Sequence, residues 1–243
     1  MQPVFISFCF PGLKNIQVYF GTRLGGVSKG SYQSLNVSLE VGDNQQDVLT
    51  NREKIKKHLN LLNWKELKQI HSTQIITQSD SKKTLEGDGI FSSKCEALGI
   101  KTADCQALFF TDLKGKYIGA LHCGWRGNIY NFPGLGVKKF AQEFNLQPCE
   151  ILAVRGPSLG PCCAEFVNYK REIPKELWSY LDKKTLKLNL WQITKKQLLK
   201  AGLLPEHIFS LDVCTNCNPD LFFSYRRDKT CGRMLNLIIK RSA

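Results

Sequence analysis

The stretch ALFFTDLKGKYIGALHCGWRG, residues 107–127, decides the fold of this chain. Two strongly apolar segments, ALFFTD and YIGALH, flank the turn LKGK, which predicts two neighbouring β-strands. We expect them to be the central strands of a sheet. The second segment runs into HCGWRG, where the apolar residues give way to glycines and an arginine, and this junction raises the question of a functional site.

Segments on either side predict further strands and helices. Strands are expected at VFISFCF, IQVYFGT, EILAVRGPSLG and MLNLII, a strand pair at ELKQIHSTQIITQ, and a turn at EGDGIFSS. Helices are expected at residues 44–60 and FPGLGVKKFAQEFN, and residues 170–202 are expected to be largely helical. Because strands and helices do not alternate regularly, we predict one α/β domain with mixed sheets over residues 1–243.

Composition excludes several classes of protein. The 34 lysines and arginines against 21 acidic residues give a net charge of +13 and favour anionic partners, but the lysines form short scattered clusters without a nucleic-acid-binding module. We therefore expect no nucleic-acid partner. We expect no membrane span either, since none of the apolar runs approaches the ~18 residues it needs. The ten cysteines lie in a large chain without a signal segment, which predicts reduced thiols and a cytoplasmic protein.

Four polar motifs adjoin the predicted strands: QIH, TADC, HCGWRG and FFSYRRD. They contain His71, Cys105, His122 and Cys123, and two imidazoles with one thiolate suffice for a catalytic zinc that keeps its fourth position open. The same groups suit a cysteine nucleophile with a histidine base, and each of them alone is also explained by packing. His122 and Cys123 point to opposite faces of a strand, so Cys123 faces the core if His122 faces the site.

Three further features have both a functional and a plain structural explanation. Arg126 precedes a predicted helix, where it would bind an anion or form a surface ion pair. Arg23 lies at the mouth of the glycine-rich loop RLGGVSKGSYQSLNVS, which would wrap a ligand or merely connect two elements. CTNC, residues 214–217, supplies half of a zinc site but has no clear second CxxC partner.

Taken together, the motifs resemble the laccase-domain family, first described as multicopper polyphenol oxidases and later as zinc-dependent purine nucleoside enzymes. The resemblance covers about residues 22–238. It is carried, in order, by TRLGGVSKGSYQSLN, GDN, NRE, QIHSTQ, GDGI, TADC, HCGWRG, GPSLGPCC, LWQITKKQLLKAG and FFSYRRDKTCGRM. Cys123 stands where the family often has alanine, Ala164 replaces an aromatic residue, and NIYNFPG looks longer than the usual connection.

The resemblance implies a layered α-β-β-α sandwich, similar to a bacterial toxin deamidase of the cysteine-hydrolase type. It also implies a metal, zinc rather than copper, held by His71, Cys105 and His122, which are then the catalytic residues. We take Asp104 as the candidate proton carrier. Arg23 and Arg126 are the candidates for binding substrate phosphate.

The reactions implied are phosphorolysis of adenosine, inosine, guanosine and S-methyl-5'-thioadenosine, and deamination of adenosine. Two alternatives stay open: a metal-free Cys/His amidohydrolase, acting for example on cell-wall precursors, and a weak polyphenol oxidase. The four histidines are few for a multicopper enzyme. The preferred nucleoside and the oligomeric state are not decided by the resemblance.

Overall fold

The computed structural model describes residues 1–77 and 86–242. The strands are β1 (Phe5–Phe8), β2 (Ile16–Gly21), β3 (Ile75–Ile76), β4 (Gly89–Ser92), β5 (Ala97–Thr102), β6 (Gln106–Asp112), β7 (Ile118–Cys123), β8 (Ile151–Arg155), β9 (Leu181–Asp182), β10 (Lys187–Leu188), β11 (Ile208–Ser210) and β12 (Met234–Lys240). The helices are α1 (Gln45–Leu59), α2 (Trp125–Ile129), α3 (Phe132–Phe144), α4 (Tyr169–Glu172) and α5 (Leu190–Lys200), with 3₁₀ turns at Gly30–Tyr32, Pro148–Glu150, Lys175–Tyr180 and Pro205–His207.

Two sheets face each other across a shared core. One has the strand order β1-β2-β12-β5, and the other has the order β11-β8-β6-β7-β4-β3 with both parallel and antiparallel pairs. The core between them contains Val18, Phe20 and Ile238 from the first sheet and Phe109 and Val154 from the second. The α/β class with mixed sheets is thereby confirmed.

Helices cover the outer face of each sheet, which gives the predicted helix-sheet-sheet-helix layering. Val137 and Phe140 of α3 and Leu198 of α5 pack on the six-stranded sheet. Ile55 and Leu59 of α1 pack on the four-stranded sheet. Within residues 1–77 and 86–242, no helix has the length and the apolar character that crossing a membrane requires.

The strands β6 and β7 lie at the centre of the six-stranded sheet, as expected from their sequences. They are antiparallel, and Ala107 is paired with His122. Side chains alternate: Phe109 and Ala120 face the other sheet, whereas Phe110 and Cys123 face the helices. The beginning of β6 therefore lies beside the end of β7, and the residues at both positions meet at one edge of the sandwich.

The predictions of α1 and α3 were accurate. α1 begins after Asn44, whose side chain accepts a hydrogen bond from the Asp47 amide, and it ends at Asn60 in the left-handed conformation. α3 covers the expected segment from Phe132 onward. Residues 170–202 are largely helical, as predicted, through α4, the 3₁₀ turn at Lys175–Tyr180 and α5, but they also contain a short hairpin of β9 and β10 that was not predicted. Asp182 accepts bonds from the Lys184 amide and the Thr185 hydroxyl there, a turn that competes with helix.

One turn prediction and one strand prediction were wrong. EGDGIFSS was expected to be a turn, but Gly89–Ser92 is β4, which is paired with β7. ELKQIHSTQIITQ was expected to form a strand pair around His71, but in its described part only Ile75–Ile76 is a strand. The backbone of residues 70–72 instead turns around a buried carboxylate, that of Asp88, which draws its amides away from a sheet ladder.

Candidate metal centre

Three predicted ligands meet at the edge of the six-stranded sheet. Cys105 directly precedes β6 and His122 lies near the end of β7, so the antiparallel pairing brings them together. His71 joins them from the loop before β3. The ligand atoms of the three residues lie within 4.8 Å of one another, and the two imidazole rings meet edge to face with centroids 4.8 Å apart.

Asp88 holds two of the three ligands in place. This fully buried residue immediately precedes β4, and its Oδ1 lies 2.8 Å from His122 Nδ1 and accepts the His71 amide at 3.0 Å. Its Oδ2 accepts the amide and the hydroxyl of Ser72 at 2.6 and 2.8 Å. With Nδ1 engaged, Nε2 of His122 is left for a metal. Asp88 was not predicted as a functional residue because EGDGIFSS was assigned to a turn; an acidic residue directly before an apolar run was the available signal.

The charges of Cys105, His122 and Asp88 stabilise one another. Burial alone would raise the pKa of Cys105, but the charge of His122 and hydrogen bonds from both imidazoles outweigh it and lower the pKa to about 6. Burial would lower the pKa of His122, but the Cys105 thiolate and Asp88 raise it to about 9. Cys105 is therefore a thiolate at neutral pH, which is the form that ligates metals and acts as a nucleophile.

Gly124 keeps the space beside the sulfur open. A Cβ atom at this position would lie 3.1 Å from Cys105 Sγ and 3.5 Å from His71 Cδ2. One thiolate and two imidazoles are ligands that suit zinc, and three protein ligands leave the fourth tetrahedral position free. The side chains present therefore fit a catalytic zinc site.

The cluster lies in a cavity of about 420 Å³, within the range of small-molecule sites. Its lining includes two basic side chains, Lys101 and Arg233, and an aromatic one, Tyr225, which is 48% exposed. Tyr225 and Arg233 both belong to the FFSYRRDKTCGRM motif, but neither Arg233 nor Lys101 was predicted as a site residue. Lys101 lies only four residues before Cys105, directly before the TADC motif. Its position in the strand β5 did not indicate that its side chain lines the cavity.

Asp104, the predicted proton carrier, is hydrogen-bonded to a neighbouring loop. Its carboxylate accepts hydrogen bonds from the Thr215 hydroxyl and the Arg226 amide, both at 2.6 Å. Both partners belong to the loop between β11 and β12, residues 211–233, which we call the long loop. Asp104 also has a φ of +95°, an unusual backbone conformation for a residue other than glycine. The structure thus ties Asp104 to a loop, while Asp88 is the carboxylate against His122.

The two predicted phosphate ligands lie outside the set of residues that line the cavity. Arg23 donates to the carbonyl oxygens of Gln33 and Pro219 at 2.7 and 3.0 Å, so it joins two loops. Arg126 is exposed and stacks over Trp125 at 4.2 Å. The sequence patterns around both arginines were typical of anion sites, but position in the fold gives them other neighbours.

Cys123, His58 and His207 lie outside this cluster. Cys123 is buried in the core between the six-stranded sheet and its helices, as its alternation with His122 predicted. His58 stacks on Phe5, and His207 lies in the 3₁₀ turn before β11. Only two of the four histidines therefore contribute to this cluster.

Comparison with known proteins gives a consistent pattern. The sequence profile of the family described as multi-copper polyphenol oxidoreductase laccase matches residues 17–241. The chain is 32% identical to purine nucleoside phosphorylase YlmD of Geobacillus stearothermophilus, over 90% of this chain and 88% of the relative. It is also 32% identical to purine nucleoside phosphorylase YfiH of Escherichia coli, over 94% and 96%. The crystal structure of the Geobacillus YlmD superposes with a TM-score of 0.86 at 30% identity, covering 96% of this chain and 94% of that one.

Proposed function

This chain belongs to the multi-copper polyphenol oxidoreductase laccase family, and on that premise we propose that it is a zinc-dependent purine nucleoside phosphorylase. The names of its relatives support the general reaction. The observation that carries the proposal is the cluster of His71, Cys105 and His122 in a cavity large enough for a nucleoside. Adenosine, inosine, guanosine and S-methyl-5'-thioadenosine are the proposed substrates, and adenosine deamination is proposed as a second reaction.

Zinc would be held by His71, Cys105 and His122. When bound, it supplies a Lewis acid that polarises an oxygen of its additional ligand. Asp88 keeps the Nδ1 proton on His122 and fixes the orientation of the ring. The same carboxylate binds the backbone at His71, so one buried side chain positions two ligands from separate segments.

Phosphate requires cations near the nucleoside, and Lys101 and Arg233 are basic residues that line the cavity. We assign phosphate binding to these two side chains in place of Arg23 and Arg126. Arg233 already donates to the carbonyl oxygens of Cys231 and Gly232 through Nη1, which fixes its position. Tyr225 offers an exposed ring on which a purine can stack.

The proposal is tested by incubating the purified protein with each nucleoside, with and without phosphate, and separating the products. We expect release of free base that depends on phosphate, together with formation of ribose 1-phosphate or its methylthio analogue. Cys105→Ser should abolish the reaction, whereas Cys123→Ser should retain it because this side chain packs in the core. Base release at the same rate without phosphate would contradict phosphorolysis.

A metal-free amidohydrolase is the second candidate, and one observation favours it. The lowered pKa of Cys105 beside the raised pKa of His122 describes a thiolate–imidazolium pair, which is the arrangement of a cysteine nucleophile with its base. Treatment with a strong chelator distinguishes the two candidates. Loss of activity that zinc restores supports the phosphorylase, while activity that survives the chelator and is blocked by a thiol-alkylating reagent supports the amidohydrolase. Polyphenol oxidation is disfavoured because His58 and His207 lie outside the cluster.

A further inference from the structure

Four other cysteines gather at a second place in the fold. Cys162 and Cys163 lie in the loop after β8, and Cys214 and Cys217 lie in the long loop. Their Sγ atoms all lie within 4.8 Å of one another, although about fifty residues separate the two pairs along the chain. The two cysteines of CTNC therefore lie beside the two adjacent cysteines of GPCC, and a second CxxC motif is not needed to complete the set of four.

The sulfur positions fit one metal ion better than disulfides. Cys217 Sγ lies 3.5 Å from Cys162 Sγ and 3.3 Å from Cys163 Sγ, and all four residues are free thiols. A disulfide needs a sulfur separation of about 2.0 Å. Four thiolates around zinc at about 2.3 Å form a tetrahedron with edges of about 3.8 Å, which is close to the observed spacing.

Hydrogen-bond donors point at the sulfurs. The Gly160 amide donates to Cys214 Sγ at 3.2 Å, and the Asn216 side-chain amide donates to Cys163 Sγ at 3.1 Å. Such contacts stabilise thiolates and orient metal ligands. Gly160 is also required sterically, since a Cβ atom there would lie 2.9 Å from Cys214 Cβ.

The backbone already joins the two loops beneath the cluster. Ser158 is bridged in parallel to Cys214, donating its amide to the Val213 carbonyl and accepting the Thr215 amide, both at 3.1 Å. Preformed ligand positions of this kind reduce the conformational entropy lost when a metal binds. Cys162 and Cys217 are exposed, so an ion can reach the cluster without unfolding of the core.

We propose that Cys162, Cys163, Cys214 and Cys217 bind a second, structural zinc ion through four thiolates, and that this ion fastens the long loop to the loop after β8. Four sulfur ligands without an open position suit a structural role. The long loop also carries Thr215 and Arg226, which hold Asp104 next to Cys105. By fixing the long loop, the second zinc also stabilises the position of Asp104 and of the neighbouring Cys105, a proposed ligand of the first site. This inference does not depend on the proposed reaction.

The test is a metal count by plasma mass spectrometry on protein purified under reducing conditions and freed of loosely bound metal with a weak chelator. We expect about two zinc ions per chain in the wild type and about one in Cys217→Ser, while the exposed-cysteine control Cys95→Ser keeps both. Cys105→Ser should also keep about one, now bound by thiolates alone. Cobalt substitution of this variant should give an intense sulfur-to-metal charge-transfer band, which Cys217→Ser, with one thiolate at its remaining site, should show only weakly.

Three results would overturn the second site. The first is a Cys105→Ser protein without bound zinc, a measurement that stays decisive even when Cys217→Ser fails to fold. The second is iron in place of zinc. The third is an intact mass lowered by two hydrogens per disulfide among the four cysteines after mild purification, which would mean that the cluster is a redox pair. Because each readout counts metal or mass, failure of the proposed phosphorolysis leaves this test unaffected.

Discussion

Replacing Asp88 by asparagine tests how the candidate metal centre is built. Each carboxylate oxygen accepts hydrogen bonds: Oδ1 from the His71 amide and His122 Nδ1, and Oδ2 from the Ser72 amide and hydroxyl. In asparagine an NH2 group, which is a donor, replaces one of these two oxygens. It would then face other hydrogen-bond donors at a fully buried position. We expect unfolding to become easier by about 1–3 kcal/mol, the cost of a buried polar group without a partner.

The effect on metal binding should be separate and specific. Loss of a carboxylate behind a ligating histidine weakens metal affinity about 10- to 100-fold, which equals about 1.4–2.8 kcal/mol. Competition with a chromophoric zinc chelator measures this affinity, and urea unfolding measures the stability. The measurement is best made in the Cys217→Ser background, so that only the site at His71, Cys105 and His122 contributes.

Asp112→Asn provides the matched control. Asp112 is also buried and accepts the backbone amides of Lys114, Lys116 and Tyr117, but it is the last residue of β6, at the end of the strand away from Cys105. It should lose comparable stability and keep its zinc affinity. Our reasoning is refuted if both substitutions weaken zinc binding equally, or if Asp88→Asn changes the affinity by less than about twofold.

Three further predictions concern stability. Burial alone would raise the pKa of Glu66, but its basic neighbours, Lys101 first, hold the pKa below its ordinary value. Glu66→Gln should therefore lower the stability by about 1–3 kcal/mol at pH 7. In thermal melts over a pH series, this difference between wild type and variant should vanish as the pH falls through the lowered pKa. Asn128→Ala, which removes the buried acceptor of the Gln106 side-chain amide, should cost about 1–3 kcal/mol in urea unfolding, and an unchanged midpoint would show that this contact contributes nothing. Phe109→Ala should cost about 3–5 kcal/mol because the ring is fully buried between the sheets, and a loss below about 1 kcal/mol would contradict that packing.

The sequence predicted what depends on local patterns. The strongly apolar segments ALFFTD and YIGALH located β6 and β7 at the centre of a sheet, and the alternation of side chains along a strand assigned Cys123 to the core. The family resemblance named His71, Cys105 and His122 as a set, and the fold brings these three together. Their metal-binding role stays a prediction, as do the single domain, the cytoplasmic location, the similarity to a toxin deamidase and the absence of a nucleic-acid partner.

Features that depend on distant contacts were not predictable in this way. Asp88 acquires its importance from the pairing of β4 with β7, which places it opposite His122. Arg23 has the sequence surroundings of an anion site, but its guanidinium is engaged by loop carbonyls from remote segments. The partner of CTNC was overlooked because its two cysteines are adjacent in GPCC, and only the fold brings the two loops together.

The backbone at Asp104 has a consequence for the exchange rate of the zinc ion proposed at Cys105. Its φ of +95° costs a non-glycine residue about 1–3 kcal/mol, and this conformation is maintained by its bonds to Thr215 and Arg226 of the long loop. We expect that detachment of the loop lets Asp104 relax and thereby changes the orientation of the neighbouring Cys105. Release of an ion from Cys105 is therefore expected to follow the opening frequency of the loop, so that slow hydrogen exchange of the Arg226 amide and slow metal exchange should accompany each other.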